Sequence, residues 1–194
     1  MEHSHAEAAP TRSSDELADL VKRIESLEQQ VSRGPQPDSL SMVVFSGELD
    51  KLLAAFVIAT GGAACGMNVS MFFTFWGTAA LKKAAPQVPG KSVVERMFGW
   101  MLPGGFGRRK LSQLDMAGMG RWMMLREMQK KHVADLPTLV QTADELDVEI
   151  RVCEMSMSLM GIRPEELIDY SNLDFCGVAG FLDKASSSGT TLFI

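Results

Sequence analysis

The chain has 194 residues, 46% hydrophobic and 22% charged, enough for one ordinary globular core and too few for a second full domain. A net charge of −5 argues against a nucleic-acid surface, which needs clustered Lys and Arg; only Arg108-Arg109-Lys110 and Lys130-Lys131 cluster, and both read as solvated faces. Three cysteines, an odd number, point to free thiols in a reducing compartment rather than a disulfide framework.

Met1 to Ser14 is polar, has no apolar h-region and predicts no secretory signal; His3 and His5 read as part of this tail rather than as a metal pair. Ser13 and Glu16 then stand in capping-box spacing, and Leu17, Leu20, Ile24, Leu27 and Val31 recur at steps of three and four. That predicts a short coiled-coil-like helix, either docked or paired as a zipper. Gly34-Pro35-Gln36-Pro37-Asp38 ends it as a linker, so residues 1–38 separate from a domain over 39–194.

Leu40 to Ser46 predicts a buried strand, and Gly47-Glu48 opens a helix whose Leu49, Leu52, Leu53, Phe56, Val57 and Thr60 share a face. Gly61-Gly62 and Gly66 end it, and Met67 to Phe75 carries strand composition up to Trp76-Gly77. From Leu52 to Leu81 there is no charged residue, a run long enough to suggest a membrane span. Paired glycines break it, however, and its second half has strand chemistry, as a helix and a strand buried inside a sheet layer would. Membrane association is therefore the less favoured alternative.

Between about residues 86 and 135 the strand–helix rhythm stops in a Met-rich insertion, whose second half, Leu111 to Lys131, reads as helical. Thr138 to Leu146 predicts a helix, Val148 to Val152 a strand, and a helix follows Cys153 directly. A further helix is expected to begin at Arg163-Pro164-Glu165-Glu166-Leu167-Ile168, Pro being favoured in a first turn. Ser171 to Phe175 reads as a strand, Cys176 to Ala185 as a helix and Thr191 to Ile194 as a terminal strand. The alternation predicts an α/β fold: three layers, α/β/α, around a mostly parallel sheet of about five strands, with the amino-terminal helix and a Met-rich helical insertion added.

Nucleotide loops and a Gly-x-Ser-x-Gly elbow are missing from the sequence, and His132 sits in a basic run far from any cysteine, which leaves a cysteine hydrolase little material. Cys153 stands out because it joins a strand end to a helix start, where unpaired N–H groups and the helix dipole favour thiolate over thiol. A small buried apolar residue is the plain alternative for such a cysteine. The adjacent Glu154, if its charge is close, would raise the thiol pKa. Cys176 repeats the strand, thiol, helix arrangement, which on parallel neighbouring strands would bring both thiols within disulfide reach. It is expected to be an auxiliary thiol to Cys153; the alternative is a small residue at a tight helix start. Cys65, in the last turn of a helix, is the weaker candidate.

Met42 to Lys51, Gly66 to Gly77, Cys153-x-Met-Ser-Met-x-x-Met-Gly-Ile162 and Thr191 to Ile194 together resemble the DsrE/DsrF/DsrH-like family, in its longer branch sometimes labelled peroxiredoxin-like. The resemblance covers about residues 41–194. It implies a sulfur carrier in which the cysteine matching Cys153 holds a persulfide and relays sulfane sulfur among rhodanese-like donors and TusA-like carriers, with no cofactor, in the cytoplasm; Cys176 would then receive sulfur from Cys153 or resolve its persulfide into a disulfide. A homo-oligomer is expected through the amino-terminal seam or the insertion. The rivals are a binding or assembly module, membrane-associated in one version, and a thiol redox protein. A thiol peroxidase has weaker support, since no Thr-x-x-Cys pattern occurs.

Overall fold

The computed structural model describes residues 12–34, 36–102 and 104–194. The chain divides into two units, residues 1–36 and 37–194. The first holds one helix, α1 (Arg12–Arg33), on which Leu17, Leu20, Ile24 and Leu27 are exposed. The side chains of Ser13, Glu16 and Val31 lie outside what is described, as do His3 and His5.

The second unit is built on β1 (Gln36–Val44), α2 (Leu49–Ala64), β2 (Asn68–Phe73), α3 (Trp76–Ala80), α4 (Val93–Met101), α5 (Met119–Lys130) and α6 (Leu136–Glu145). After these come β3 (Glu149–Cys153), α7 (Glu154–Met160), β4 (Leu173–Cys176), α8 (Val178–Ser186) and β5 (Ser188–Phe193). The strands form one five-stranded sheet in the order β4-β3-β2-β1-β5. β1–β2, β2–β3 and β3–β4 pair in parallel. Ile194 donates to the Val43 carbonyl at 2.9 Å and accepts from the Phe45 N–H at 2.8 Å, the parallel pattern again.

Strand alternation separates two faces. Leu40, Met42, Val44, Val69, Met71, Phe73, Val148, Ile150 and Val152 face the main core with Leu52, Phe56 and Ala59 of α2 and Leu139, Val140 and Ala143 of α6. On the opposite face Phe72, Cys153 and Cys176 make a small cluster with Phe181 of α8. Burying β2 on both faces explains its unbroken apolar sequence. The uncharged run of residues 52–81 is thus a covering helix, a central strand and the buried start of α3. Among the described residues no helix is long and apolar enough to cross a membrane.

Three expectations need correction. Arg163 to Ile168 forms only a single 3-10 turn, Pro164–Glu166. The Glu166 carboxylate turns back to accept from the Arg163 N–H at 2.9 Å, and the backbone then pairs outward, Lys83 N–H to Glu166 O and Ile168 N–H to Leu81 O. Local propensity yields to this antiparallel bridge beside Leu167 and Lys82. In the insertion, the helix covers Met119–Lys130 and not Leu111 to Lys131. Leu114, Met116 and Ala117 all take positive φ, which no helix sustains, and the Asp115 carboxylate accepts from the Leu111 N–H. Finally, Gln36–Pro37–Asp38 belongs to β1 rather than to a linker. α3 and α4 were not anticipated.

Candidate functional site

β3 and β4 end on Cys153 and Cys176, and the two are register partners across the ladder. Both therefore project to the same face at the carboxyl edge of a parallel sheet, where open α/β folds gather ligands and chemistry. Each thiol is followed at once by a helix: Cys153 is the N-cap of α7, and Gly177 after Cys176 is the N-cap of α8. Cys65 instead lies exposed at the C-cap of α2, away from this edge, as its sequence context predicts.

The Cys153 side chain is completely buried. Burial by itself pushes its thiol pKa up, yet the value lies below the ordinary one, because the Ser156 hydroxyl and N–H, the Thr74 hydroxyl and the Met155 N–H all favour the thiolate. Glu154 turns to solvent, which removes the objection that its charge sits beside the sulfur.

Ser156 and Thr74 were missed by the sequence reading. Ser156 is buried in the first turn of α7; its Oγ lies 3.0 Å from Thr74 Oγ1 and accepts from the Phe75 N–H at 2.9 Å. The available signal was a Ser three residues after an N-cap and a Thr closing an apolar strand. Thr74–Phe75–Trp76–Gly77 is a tight turn closed by Gly77 N–H to Thr74 O at 3.0 Å. Phe75 has φ 46° and ψ −119°, a region suited to glycine, and such strain persists only when surroundings over-determine it. Gly77 is required by closeness, since a Cβ there would collide with the Val44 carbonyl.

Cys176 has the opposite electrostatics. Burial pushes its pKa up; the Arg151 guanidinium opposes this, while Asp174, Cys153 and Glu149 reinforce it. Arg151 also ties the edge together, with Nη1 donating to the Gly180 carbonyl at 3.0 Å and Nε 3.6 Å from a Glu149 carboxylate oxygen. Lys184 of α8 reaches Glu149 at 3.3 Å. The result is one thiol whose ionisation is favoured beside one whose ionisation is opposed, both packed with Phe181 of α8, whose ring stacks on Phe72 at 4.9 Å.

Beside this edge a cleft of about 470 Å³ is lined by Glu95, Glu154, Gly161, Arg163 and Phe175 among others. Among the described residues no group of three His, Cys, Asp or Glu side chains is placed to hold a metal ion. The chemistry within reach is that of sulfur: nucleophilic attack by a thiolate, and exchange between two adjacent sulfurs.

The chain is similar to several known proteins. The chain is 40% identical over 159 residues to the uncharacterized protein YrkE of Bacillus subtilis, covering 82% of this chain and 98% of that one. It is 30% identical over 167 residues to the sulfur carrier protein DsrE2 of Allochromatium vinosum, covering 80% and 97%. The solved ychN protein of E. coli overlays with a TM-score of 0.46 at 11% identity, over 81% of this chain and 99% of that one. Residues 36–193, which carry both thiols and every strand of the sheet, match the DsrE/DsrF/DrsH-like family, and the chain belongs to it.

Proposed function

We propose that this protein relays sulfane sulfur as a persulfide on Cys153. The observation that carries the reading is a fully buried thiol at a strand end whose ionised form is favoured by Thr74, Ser156 and two backbone N–H groups. In the loading step the Cys153 thiolate attacks the outer sulfur of a donor persulfide; a new S–S bond forms and the donor leaves as a thiolate. Delivery is the same step in reverse roles, an acceptor thiolate taking the outer sulfur and Cys153 leaving. The 30% identity to a protein named a sulfur carrier supports this reading, as does the family. The proposal includes protein donors and acceptors of rhodanese-like and TusA-like kinds, a cytoplasmic setting and a homo-oligomer.

Intact mass spectrometry after incubation with a persulfide donor tests the reading. The native chain gains the mass of sulfur, Cys176→Ala still gains it, and Cys153→Ala does not. Loading that survives in Cys153→Ala removes Cys153 from the role. The burial of Cys153 gives specific support to one rival, an assembly module with an inert cysteine, and that rival predicts a native chain that takes up no sulfur at all.

A further inference from the structure

Sequence alone leaves two roles for Cys176, receiving the outer sulfur or attacking the inner one. The sheet order separates them. β3 lies between β2 and β4, so the Cys153 sulfur has Cys176 on one flank and the Thr74–Ser156 hydroxyl pair, at the end of β2, on the other. Nucleophile, attacked sulfur and leaving sulfur prefer one line in thiol–disulfide exchange. An outer sulfur bonded to Cys153 is best accommodated on the flank where hydroxyl and N–H donors already favour negative charge. Cys176 then faces the inner sulfur from behind, and the outer sulfur points away from it.

We propose that Cys176 attacks the inner sulfur of the Cys153 persulfide, closing a Cys153–Cys176 disulfide and expelling the sulfane sulfur as sulfide. The step rests on the carrier reading and deepens it. A bond forms between the two cysteine sulfurs and the bond from Cys153 to the outer sulfur breaks. The two cysteine sulfurs are oxidised to the disulfide, the sulfane sulfur takes both electrons, and the Cys176 proton leaves on hydrosulfide. No outside oxidant enters, because the persulfide is itself the oxidant. Register partners on adjacent parallel strands lie about 4.8 Å apart, inside the Cα range that a disulfide spans. Gly180 of α8 lies against Cys176, and a Cβ there would stand in ordinary contact, 3.4 Å from Cys176 Cβ and 3.9 Å from its sulfur.

Burial opposes ionisation of the Cys176 thiol, which slows its attack relative to that of a thiolate in water. Without an acceptor the loaded protein discharges sulfide and closes. A dithiol reductant opens it again.

The test uses the full chain, reduced, freed of reductant under nitrogen and given inorganic polysulfide followed by rapid desalting. Intact mass, peptide mapping under non-reducing conditions and a sulfide assay are followed over time. The native chain first shows the mass of one added sulfur on Cys153. That species is replaced by one lacking two hydrogens, with a Cys153–Cys176 peptide and about one sulfide per chain, as the balance of the step requires. Cys176→Ser and Cys176→Ala keep the added sulfur and release none. A native chain that holds its sulfur on Cys153 with no disulfide overturns this inference and leaves the carrier standing. Sulfur that appears on Cys176 overturns it in favour of relay between the thiols. Failure of Cys153 to load at all overturns both readings, and the native chain decides each case even if a variant misfolds.

Discussion

At the scale of the residue, the sulfur of Cys153 depends on Ser156 more than on its own sequence neighbours. Removing that hydroxyl in Ser156→Ala takes from the thiolate the largest of the hydrogen bonds that favour it. The expected outcome is an alkylation rate for Cys153 whose pH midpoint moves up, because a thiolate that loses a donor binds its proton more tightly. The variant also leaves the Phe75 N–H without its acceptor, so it loses about 1–3 kcal/mol of stability. The pH midpoint, which lost stability does not move, is the readout. Cys176→Ser leaves that midpoint in place, since the groups that shift Cys153 are Ser156, Thr74 and the Met155 N–H.

At the scale of the element, α8 decides when the thiols are reached. Phe181 is its one fully buried apolar residue, and Val178 and Leu182 stay exposed, so the helix is held chiefly by that ring on Phe72, with partly buried Ala185 and the Arg151 and Lys184 contacts beside it. Phe181→Ala removes a ring whose truncation costs about 3 kcal/mol in a full core and less here. Each 1.4 kcal/mol is tenfold in an opening equilibrium, so Cys153 should alkylate at least about tenfold faster in the variant. Exposed Cys65 serves as the internal reference, and a native Cys153 that already reacts as fast as Cys65 would dismiss α8 as a cover. The second load-carrying contact lies at the 3-10 turn. Lys91 Nζ donates to Glu166 at 2.5 Å with both side chains buried, and Arg163 and Val88 N–H groups complete the carboxylate's partners. Burial alone would raise the Glu166 pKa, but Lys91 and the N–H groups bring it below the ordinary value. A carboxyl with a depressed folded pKa contributes stability above its unfolded value of about 4.3 and loses it as pH falls through the folded one. Glu166→Gln strands a buried ammonium and should cost about 3 kcal/mol by urea unfolding at neutral pH, with the deficit shrinking in acid.

At the scale of the whole molecule, strand positions and the α/β class were legible because a parallel sheet buried on both faces writes itself as short apolar runs between glycines, as in Val69 to Phe73. The place of Cys153 at a strand end and helix start was legible for the same reason, being where such a run meets a helix. Ser156 and Thr74 were not, because their meaning lies in a contact across 82 residues that no local pattern encodes. Neither was the shape of the segment at Arg163 to Ile168, where a distant lysine outweighs a proline's preference for a helical first turn. The Met-rich insertion divides: Met128 is buried and Met124 packs on the core, whereas Met97, Met101, Met119, Met123 and Trp100 are exposed. If these exposed groups join two copies, light scattering at micromolar concentration will give a mass above the monomer, and a monomer would dismiss the homo-oligomer. The place of β5 bears on how the chain is made. β1 is an early strand, but one of its two neighbours is the last, and the hydroxyls of Ser41 and Ser188 meet across 147 residues. During synthesis from the amino terminus, β1 therefore waits with a bare edge through the making of every other element, a template for strands of other chains. Pairing of such separation is slow to close, so yield in a cell should depend on chaperones that shield that edge until residues 188–194 emerge.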